Sequence, residues 1–278
     1  MNYSEDIQTL LQYGIIIDDD ILVENTLWHL WLFRLLPYIK LYSNQQYEVN
    51  FSEIVELYNF DRDLRNILWE LVEHIEIDIK TKLITETKDI NRKEASLDGK
   101  YMNTPQEMEN LLDDIIESHK EKIKSDINSS PTRLTTDFQK IVHIASFWEM
   151  GRMLSQFNII KLQEIIKYYA IPMKKSVQAF LSRINALRKV RNIWGHHDIC
   201  LKNNDYLRIS TPSINGSREV FYYFEILLLF NKSIDTLKMI QLREELIHLL
   251  QEWEKKYLID LEQIMWFPQN WEDILLKI

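Results

Sequence analysis

The residues best suited to chemistry lie in one short segment, Arg191-Asn192-Ile193-Trp194-Gly195-His196. The imidazole of His196 exchanges protons near neutral pH and could therefore act as a general acid or base. The guanidinium of Arg191 keeps its charge and could bind phosphate oxygens bidentately in a negatively charged transition state. On a continuous helix Asn192 shares a face with His196 and could orient the imidazole or the phosphate. Together these groups could cleave RNA without a metal, in a reaction in which a 2′-hydroxyl attacks the adjacent phosphorus.

The same spacing is also compatible with simpler roles. Arg-Asn-x-x-x-His is common by chance, and capping or salt-bridge formation would use the same residues. The neighbouring His197 would point elsewhere on a helix and is expected at the surface, with a supporting role in the site as the alternative. Sequential neighbours diverge on a helix, which disfavours a metal site made of His196, His197 and Asp198. We therefore predict no metal and no cofactor.

One chain supplies one well-placed histidine, whereas the reaction needs both an acid and a base. An isologous dimer would bring two histidines and two arginines to one phosphate, so we expect a homodimer. Gly195 has no Cβ, and we expect this to let RNA or a second subunit approach the backbone closely.

Positive charge is concentrated around this segment, although the whole chain carries a net charge of −9. Between positions 174 and 202 seven basic residues face a single acid, Asp198. Such a window could bind the phosphates of RNA, whereas the overall charge argues against broad, unspecific binding of nucleic acid. The predicted RNA-binding residues are Lys174, Lys175, Arg183, Arg188 and Lys189.

A second polar set is formed by Asp61, Arg65, Glu73 and Glu76. The simpler interpretation is structural, with the carboxylates of Glu73 and Glu76 paired to arginines such as Arg34 or Arg65. The alternative is that Glu73 and Glu76 support the candidate arginine of the site. Four tryptophans are expected to pack in the core rather than to stack on bases: Trp28, Trp31, Trp148 and Trp194.

The composition and the apolar spacing predict an all-α fold, which we treat as a single domain over residues 1–278. Five glycines and six prolines are few for this length, which disfavours all-β and glycine-rich nucleotide-binding folds. An apolar face over 177–187 leads directly into Arg191, so this helix must position the segment. Further helical patterns cover 7–13, 22–36, 51–87, 138–153, 162–169 and 221–253, and a loop is predicted over 203–217.

Three segments carry more detailed structural predictions. Residues 22–36 are apolar on nearly every side, which predicts a central buried helix that Pro37 bends or ends. Residues 59–61 are predicted to separate two helices, with Asp61 as the N-cap of the second. Residues 89–131 are strongly polar and are predicted to form a mobile helical insertion or crossover.

The number of cysteines and the hydropathy of the chain predict its cellular compartment. Cys200 is the only cysteine, which excludes an intramolecular disulfide and fits a reducing cytosol. The amino terminus lacks the order of a secretory signal, and the apolar stretches are too short to span a bilayer. We expect a cytoplasmic protein without membrane contact.

Four stretches together resemble the abortive-infection (Abi) proteins of the AbiD and AbiF type. They are LQYGIII at 11–17, LYNFDRDLR at 57–65 with EHIE at 73–76, LRKVRNIWGHH at 187–197 and FPQNW at 267–271. Such proteins look like members of the HEPN superfamily, whose ribonuclease signature is Arg-x(4 to 6)-His with a polar residue after the Arg. Family members usually have Ala where this chain has Gly195.

This resemblance implies a HEPN-like helical bundle with additional helices, and catalysis by Arg191, Asn192 and His196. It also implies phage defence through toxic RNA cleavage, a homodimer formed through the HEPN faces, and control by a small-RNA or protein inhibitor. Two rival functions remain open. One is a non-catalytic RNA-binding module, and the other is an interaction module that senses a phage component through its aromatic surface.

Overall fold

The computed structural model describes residues 4–42, 48–87, 101–120, 138–169, 177–195, 220–257 and 267–278, with the side chains of 193, 194, 220 and 257 left out. Twelve helices and one two-stranded parallel sheet occur in these ranges, so the predicted all-α fold is confirmed. The helices are α1 (Ser4–Gln12), α2 (Asp20–Leu30), α3 (Leu32–Tyr42), α4 (Phe51–Glu86), α5 (Pro105–Ser118), α6 (Phe138–Ile144), α7 (Phe147–Gln156), α8 (Ile159–Ile166), α9 (Val177–Gly195), α10 (Val220–Ile234), α11 (Thr236–Tyr257) and α12 (Trp271–Lys277).

The small sheet joins the amino-terminal helices to the start of α4. Strand β1 (Ile15–Ile16) follows a turn at Gly14, whose φ of +76° favours glycine. It pairs in parallel with β2 (Val49–Asn50). Asp19 caps the start of α2, because its side chain accepts a hydrogen bond from the backbone N–H of Leu22 at 2.9 Å.

The prediction of one buried helix over residues 22–36 is wrong in two respects. The chain leaves helical geometry at Trp31, where φ is 56°, and this break separates α2 from α3. Pro37 then lies inside α3 and does not end it, although the proline ring and the missing N–H disfavour this position. The apolar character also does not mean complete burial, since Trp28 and Trp31 keep 58% and 61% of their surface exposed.

Helix α4 is continuous over 36 residues, a length of about 54 Å. The predicted break at 59–61 and the N-cap role of Asp61 are therefore wrong. Asp61 is fully buried, forms an ion pair with Arg65 one turn later, and accepts a hydrogen bond from the Tyr38 hydroxyl at 2.8 Å. Because side chains satisfy this carboxylate, it does not compete for the backbone N–H groups that would start a new helix.

The hydroxyl of Tyr38 belongs to the same buried group. Burial raises the pKa of Tyr38, and the negative charge of Asp61 raises it further. The phenol therefore stays neutral and donates its proton to the carboxylate, while α3 is fastened to α4 at this point.

The other helices are arranged around α4. Helices α2, α3, α6, α8, α9, α10 and α11 all pack against it. The buried side chain of Asn231 on α10 donates hydrogen bonds to the backbone oxygen of Leu71 at 3.0 Å and to that of Leu227 at 2.8 Å. Helix α4 is thus the axis of the core, and its position determines where the surrounding helices lie.

The part of the predicted polar insertion that the structure describes is a helix with one buried face. In α5 the side chains of Met108, Leu111, Leu112 and Ile115 are buried, and the helix packs against α6 and α7. The adjoining residues 88–100 and 121–137 lie outside the described residues, as does the predicted loop over 203–217.

The carboxy-terminal half follows the predicted helical patterns with two additional boundaries. A capping box separates α6 from α7, since the Glu149 carboxylate accepts from the backbone N–H of Ser146 at 2.6 Å. The pattern over 221–253 is divided between α10 and α11. Phe267 and Trp271 are buried, and the Phe267 ring contacts the aromatic rings of α10. Among the described helices, none has a stretch both long and apolar enough to cross a bilayer.

Replacing Asp61 by Asn should strongly destabilise the protein. The Asn side chain fills the same space but leaves the buried charge of Arg65 without its partner, so we expect a loss of about 3–5 kcal/mol. Urea denaturation followed by circular dichroism measures the change. The matched control is Asp63→Asn, whose exposed pair with Arg62 should be worth at most about 1 kcal/mol. Equal losses for the two variants would contradict the role given to Asp61.

Candidate functional site

Helix α9 carries the candidate segment and is fixed by its apolar face. Phe180, Ile184, Leu187 and Val190 are buried along this face, and the helix packs against both α4 and α7. The predicted helix leading into Arg191 is confirmed by this arrangement. Its last turns therefore lie between two other helices, and polar residues on either side face different neighbours.

Arg191 is held by α4 through one charge and one aromatic ring. Its Nε atom lies 3.8 Å from Oε2 of Glu76, and its Cζ lies 5.1 Å from the centre of the Trp69 ring. The Nε atom is buried and makes no hydrogen bond to the described residues, because the 3.8 Å to Glu76 is too long for one. The side chain as a whole remains 36% exposed. Charge attraction and ring contact thus orient the guanidinium without using up its hydrogen-bonding capacity.

Glu76 is shared between two cations. Its Oε1 atom accepts a hydrogen bond from Nζ of Lys80 at 3.0 Å, while Oε2 faces Arg191. The proposed pairing with Arg65 is wrong, because Arg65 is bound to Asp61. Glu76 instead has the position expected from the alternative interpretation, beside the candidate arginine. Glu73 is exposed and forms no ion pair within the described ranges, so the geometry supports only one of the two carboxylates.

Trp69 is a site residue that sequence reasoning missed. A Cβ built on Gly195 would lie 3.0 Å from Cζ3 and 3.3 Å from Cη2 of this ring. The absence of a side chain at Gly195 therefore makes room for Trp69, and the prediction that RNA or a second subunit uses this space is not supported. One signal was available in the sequence: Trp69 and Glu76 are two helical turns apart and share a face of α4.

Other predicted site residues are only partly covered by the structure. Asn192 is exposed in the last turn of α9. His196 and His197 lie outside the described residues, as do Lys174 and Lys175. The position of the imidazole relative to Arg191 therefore stays a prediction.

The three remaining basic residues differ sharply in exposure. Lys189 is exposed, and Arg188 is half-buried beside Trp148 on α7, with its Cζ 5.6 Å from the ring centre. Arg183 is only 5% exposed, so a contact with RNA does not fit its position in the core. Burial lowers the pKa of Arg183, and Tyr222 with Glu225 counteracts this shift.

No metal site is formed by the part of the chain that the structure describes. In those ranges no three side chains of His, Cys, Asp or Glu come together in a way that could hold an ion.

The two helical glycines on the packed surfaces should respond differently to Ala. At Gly151 a Cβ would meet only ordinary contacts, at 3.8 Å and 4.0 Å, so we expect Gly151→Ala to stabilise the protein by about 0.5–1 kcal/mol. At Gly195 the new methyl group would press on Trp69, and a loss of about 1 kcal/mol is expected from overpacking. Chemical denaturation of both variants checks this difference. A similar gain at both positions would show that Trp69 is not held against Gly195.

Comparison with known proteins gives a family for the chain. The sequence model of Abi-like proteins matches residues 25–201, a range that includes all of α4 and α9. No curated protein matches, and no solved structure does either. The matched range holds Trp69, Glu76 and Arg191 and covers more than half of the sequence. The chain therefore belongs to the family of Abi-like proteins.

Proposed function

We propose that this protein is a metal-independent endoribonuclease that acts in abortive infection, with Arg191, Asn192 and His196 as its catalytic residues. Membership of the Abi-like family supports the abortive-infection role. The ribonuclease activity and its site are the further step. They are supported by the spacing of the three residues, by the resemblance to HEPN ribonucleases and by the surroundings of Arg191.

The observation that carries the proposal is the way Arg191 is held. An arginine that only stabilises the fold normally donates its N–H groups to acceptors of the protein. Here the guanidinium makes no hydrogen bond to the described residues, although Glu76 and Trp69 fix its orientation. A guanidinium that is oriented, and whose donors the described residues leave unused, suits a phosphate that becomes more negative in the transition state.

The reaction assigned to the site balances without a metal or cofactor. A base removes the proton of the 2′-hydroxyl, the oxygen attacks the adjacent phosphorus, and the bond to the 5′-oxygen breaks. An acid returns a proton to that 5′-oxygen, giving a 2′,3′-cyclic phosphate and a free 5′-hydroxyl. His196 serves as base or acid, Arg191 neutralises the non-bridging oxygens, and Asn192 orients the imidazole or the phosphate.

Two partners belong to the proposal besides the RNA substrate. A second copy of the chain supplies the second histidine through an isologous contact of the α9 ends. A small-RNA or protein inhibitor keeps the activity restrained until infection. The exposed position of Asn192 at the end of α9 is consistent with an approach by either an RNA strand or a second copy.

Incubation of the purified protein with labelled total RNA in EDTA tests the activity. We expect the parent to produce fragments with 2′,3′-cyclic phosphate ends, and we expect Arg191→Ala and His196→Ala to reduce the rate at least about 100-fold. Unchanged circular dichroism spectra serve as the folding control. Fragments formed equally by the His196→Ala variant would contradict the assignment of the site, and cleavage that EDTA abolishes would contradict the metal-free reaction.

The role of Glu76 can be tested separately with a matched carboxylate on the same helix. Glu76→Gln removes the charge facing Arg191, so we expect a roughly tenfold slower reaction through a less well positioned guanidinium. Glu70 pairs with Lys238 on α11 instead, and Glu70→Gln should leave the cleavage rate unchanged. Equal rates for the two variants would mean that Glu76 does not position Arg191.

A further inference from the structure

Two arginines from different helices contact the ring of one exposed tryptophan. Trp148 on α7 keeps 41% of its surface exposed. The Cζ atom of Arg152, one turn later on α7, lies 4.7 Å from the ring centre, and that of Arg188 on α9 lies 5.6 Å from it. We call these three side chains the Arg-Trp-Arg cluster. It lies outside the group of Trp69, Glu76 and Arg191.

The positive charge of this cluster has no counter-charge in the described part of the chain. No carboxylate forms an ion pair with Arg152 or Arg188 there, although acids outnumber bases in the sequence. Burial lowers the pKa of the Arg188 guanidinium, and the charge of Arg152 lowers it further. Two like charges that share one ring repel each other, so an anion bound between them would stabilise the arrangement.

Arg188 is the half-buried cation of the cluster, whereas Arg152 is exposed. Helices α7 and α9 are in ordinary contact near Gly151, where a Cβ would lie 4.0 Å from Cδ of Arg188 and 3.8 Å from Cγ2 of Ile184. The aliphatic stem of Arg188 is therefore packed against α7, and its charged end reaches the ring of Trp148. A ligand would not have to order this side chain, which lowers the entropic cost of binding.

Arg188 brings the cluster close to the proposed cleavage site, because it lies on the same helix as Arg191. Arg188 and Arg191 are three residues apart on a helix and are thus neighbours on its surface. Arg188 faces α7 and Arg191 faces α4. A single polyanion lying over the end of α9 could contact both arginines.

We propose that the Arg-Trp-Arg cluster is a subsite for single-stranded RNA, in which a base stacks on the exposed part of Trp148 and the flanking phosphates contact Arg152 and Arg188. This proposal rests on the proposed function for its substrate class. Aromatic rings combined with cations bind single strands in this way, because every base has a π-face and every nucleotide carries a phosphate. A double helix, whose bases are already stacked, would not offer a base to the ring.

Binding of a labelled oligonucleotide tests the stacking contact independently of cleavage. The probe is a fluorescent 12-nucleotide RNA with 2′-O-methyl groups, which cannot form the cyclic phosphate. We expect Trp148→Leu to raise the Kd about tenfold, and Trp148→Phe to retain most of the affinity. Trp28→Leu is the matched control, since Trp28 is also exposed but lies on α2, and its Kd should equal that of the parent.

The salt dependence of the same binding tests the two arginines. Each phosphate contact to a single strand contributes about 0.7 to the slope of log K against log salt concentration. Arg152→Gln and Arg188→Gln should therefore each reduce the slope by about 0.7. The exposed Arg62, which pairs with Asp63, provides the control variant Arg62→Gln with an unchanged slope.

The outcomes separate this subsite from the nuclease activity. An unchanged Kd for Trp148→Leu, or no binding of the probe by the parent, overturns the subsite even if total RNA is cleaved. Binding that depends on Trp148 and the two arginines, without any cleavage of total RNA, supports the subsite and contradicts the nuclease. Polyglutamate is added as a competitor at the same concentration of negative charge as the RNA. If it displaces the probe, the cluster binds acidic proteins and not specifically RNA.

Discussion

Burial of the Asp61 charge is the constraint on which the remaining structure depends. A carboxylate in the interior is tolerated only if a countercharge and hydrogen bonds replace the water that it loses. The side chains of Arg65 and Tyr38 provide both, and neither side chain disturbs the backbone hydrogen bonds of α4. The helix can therefore continue through a stretch whose sequence resembles a helix start. Because seven other helices pack on α4, a break at this point would alter the distances between all of them.

The continuity of α4 has a direct consequence for the candidate site. Trp69 and Glu76 lie on α4 beyond Asp61, and they meet Arg191 only because α9 packs against the same half of the helix. The ring and the carboxylate act differently on the guanidinium. Trp69 covers it without accepting a hydrogen bond, and Glu76 attracts it from a distance at which none is formed. A closer Glu76 would form a strong charge-assisted hydrogen bond and compete with a phosphate, whereas its absence would leave the side chain free to rotate.

The sequence predicts the local features well and the long-range ones poorly. The apolar face of α9 follows from spacing alone, since it depends on neighbours within a few turns. The continuity at Asp61 depends on Tyr38, which lies on another helix, and no local pattern reveals that partner. The contact between Gly195 and Trp69 is of the same kind. The exposure of Trp28 has a different cause. Where a helix is apolar on nearly every side, the sequence does not tell which side the other helices will cover.

Charge distribution places a limit on how a polyanion could approach this protein. The net charge of −9 repels RNA over most of the surface, so long-range attraction is confined to surfaces where cations lack carboxylate partners. Arg152 and Arg188 form such a surface beside α9, because no described carboxylate forms an ion pair with either of them. A strand guided in this way would reach Arg188 and Arg191 along the same helix, and the acidic remainder of the surface would disfavour other orientations.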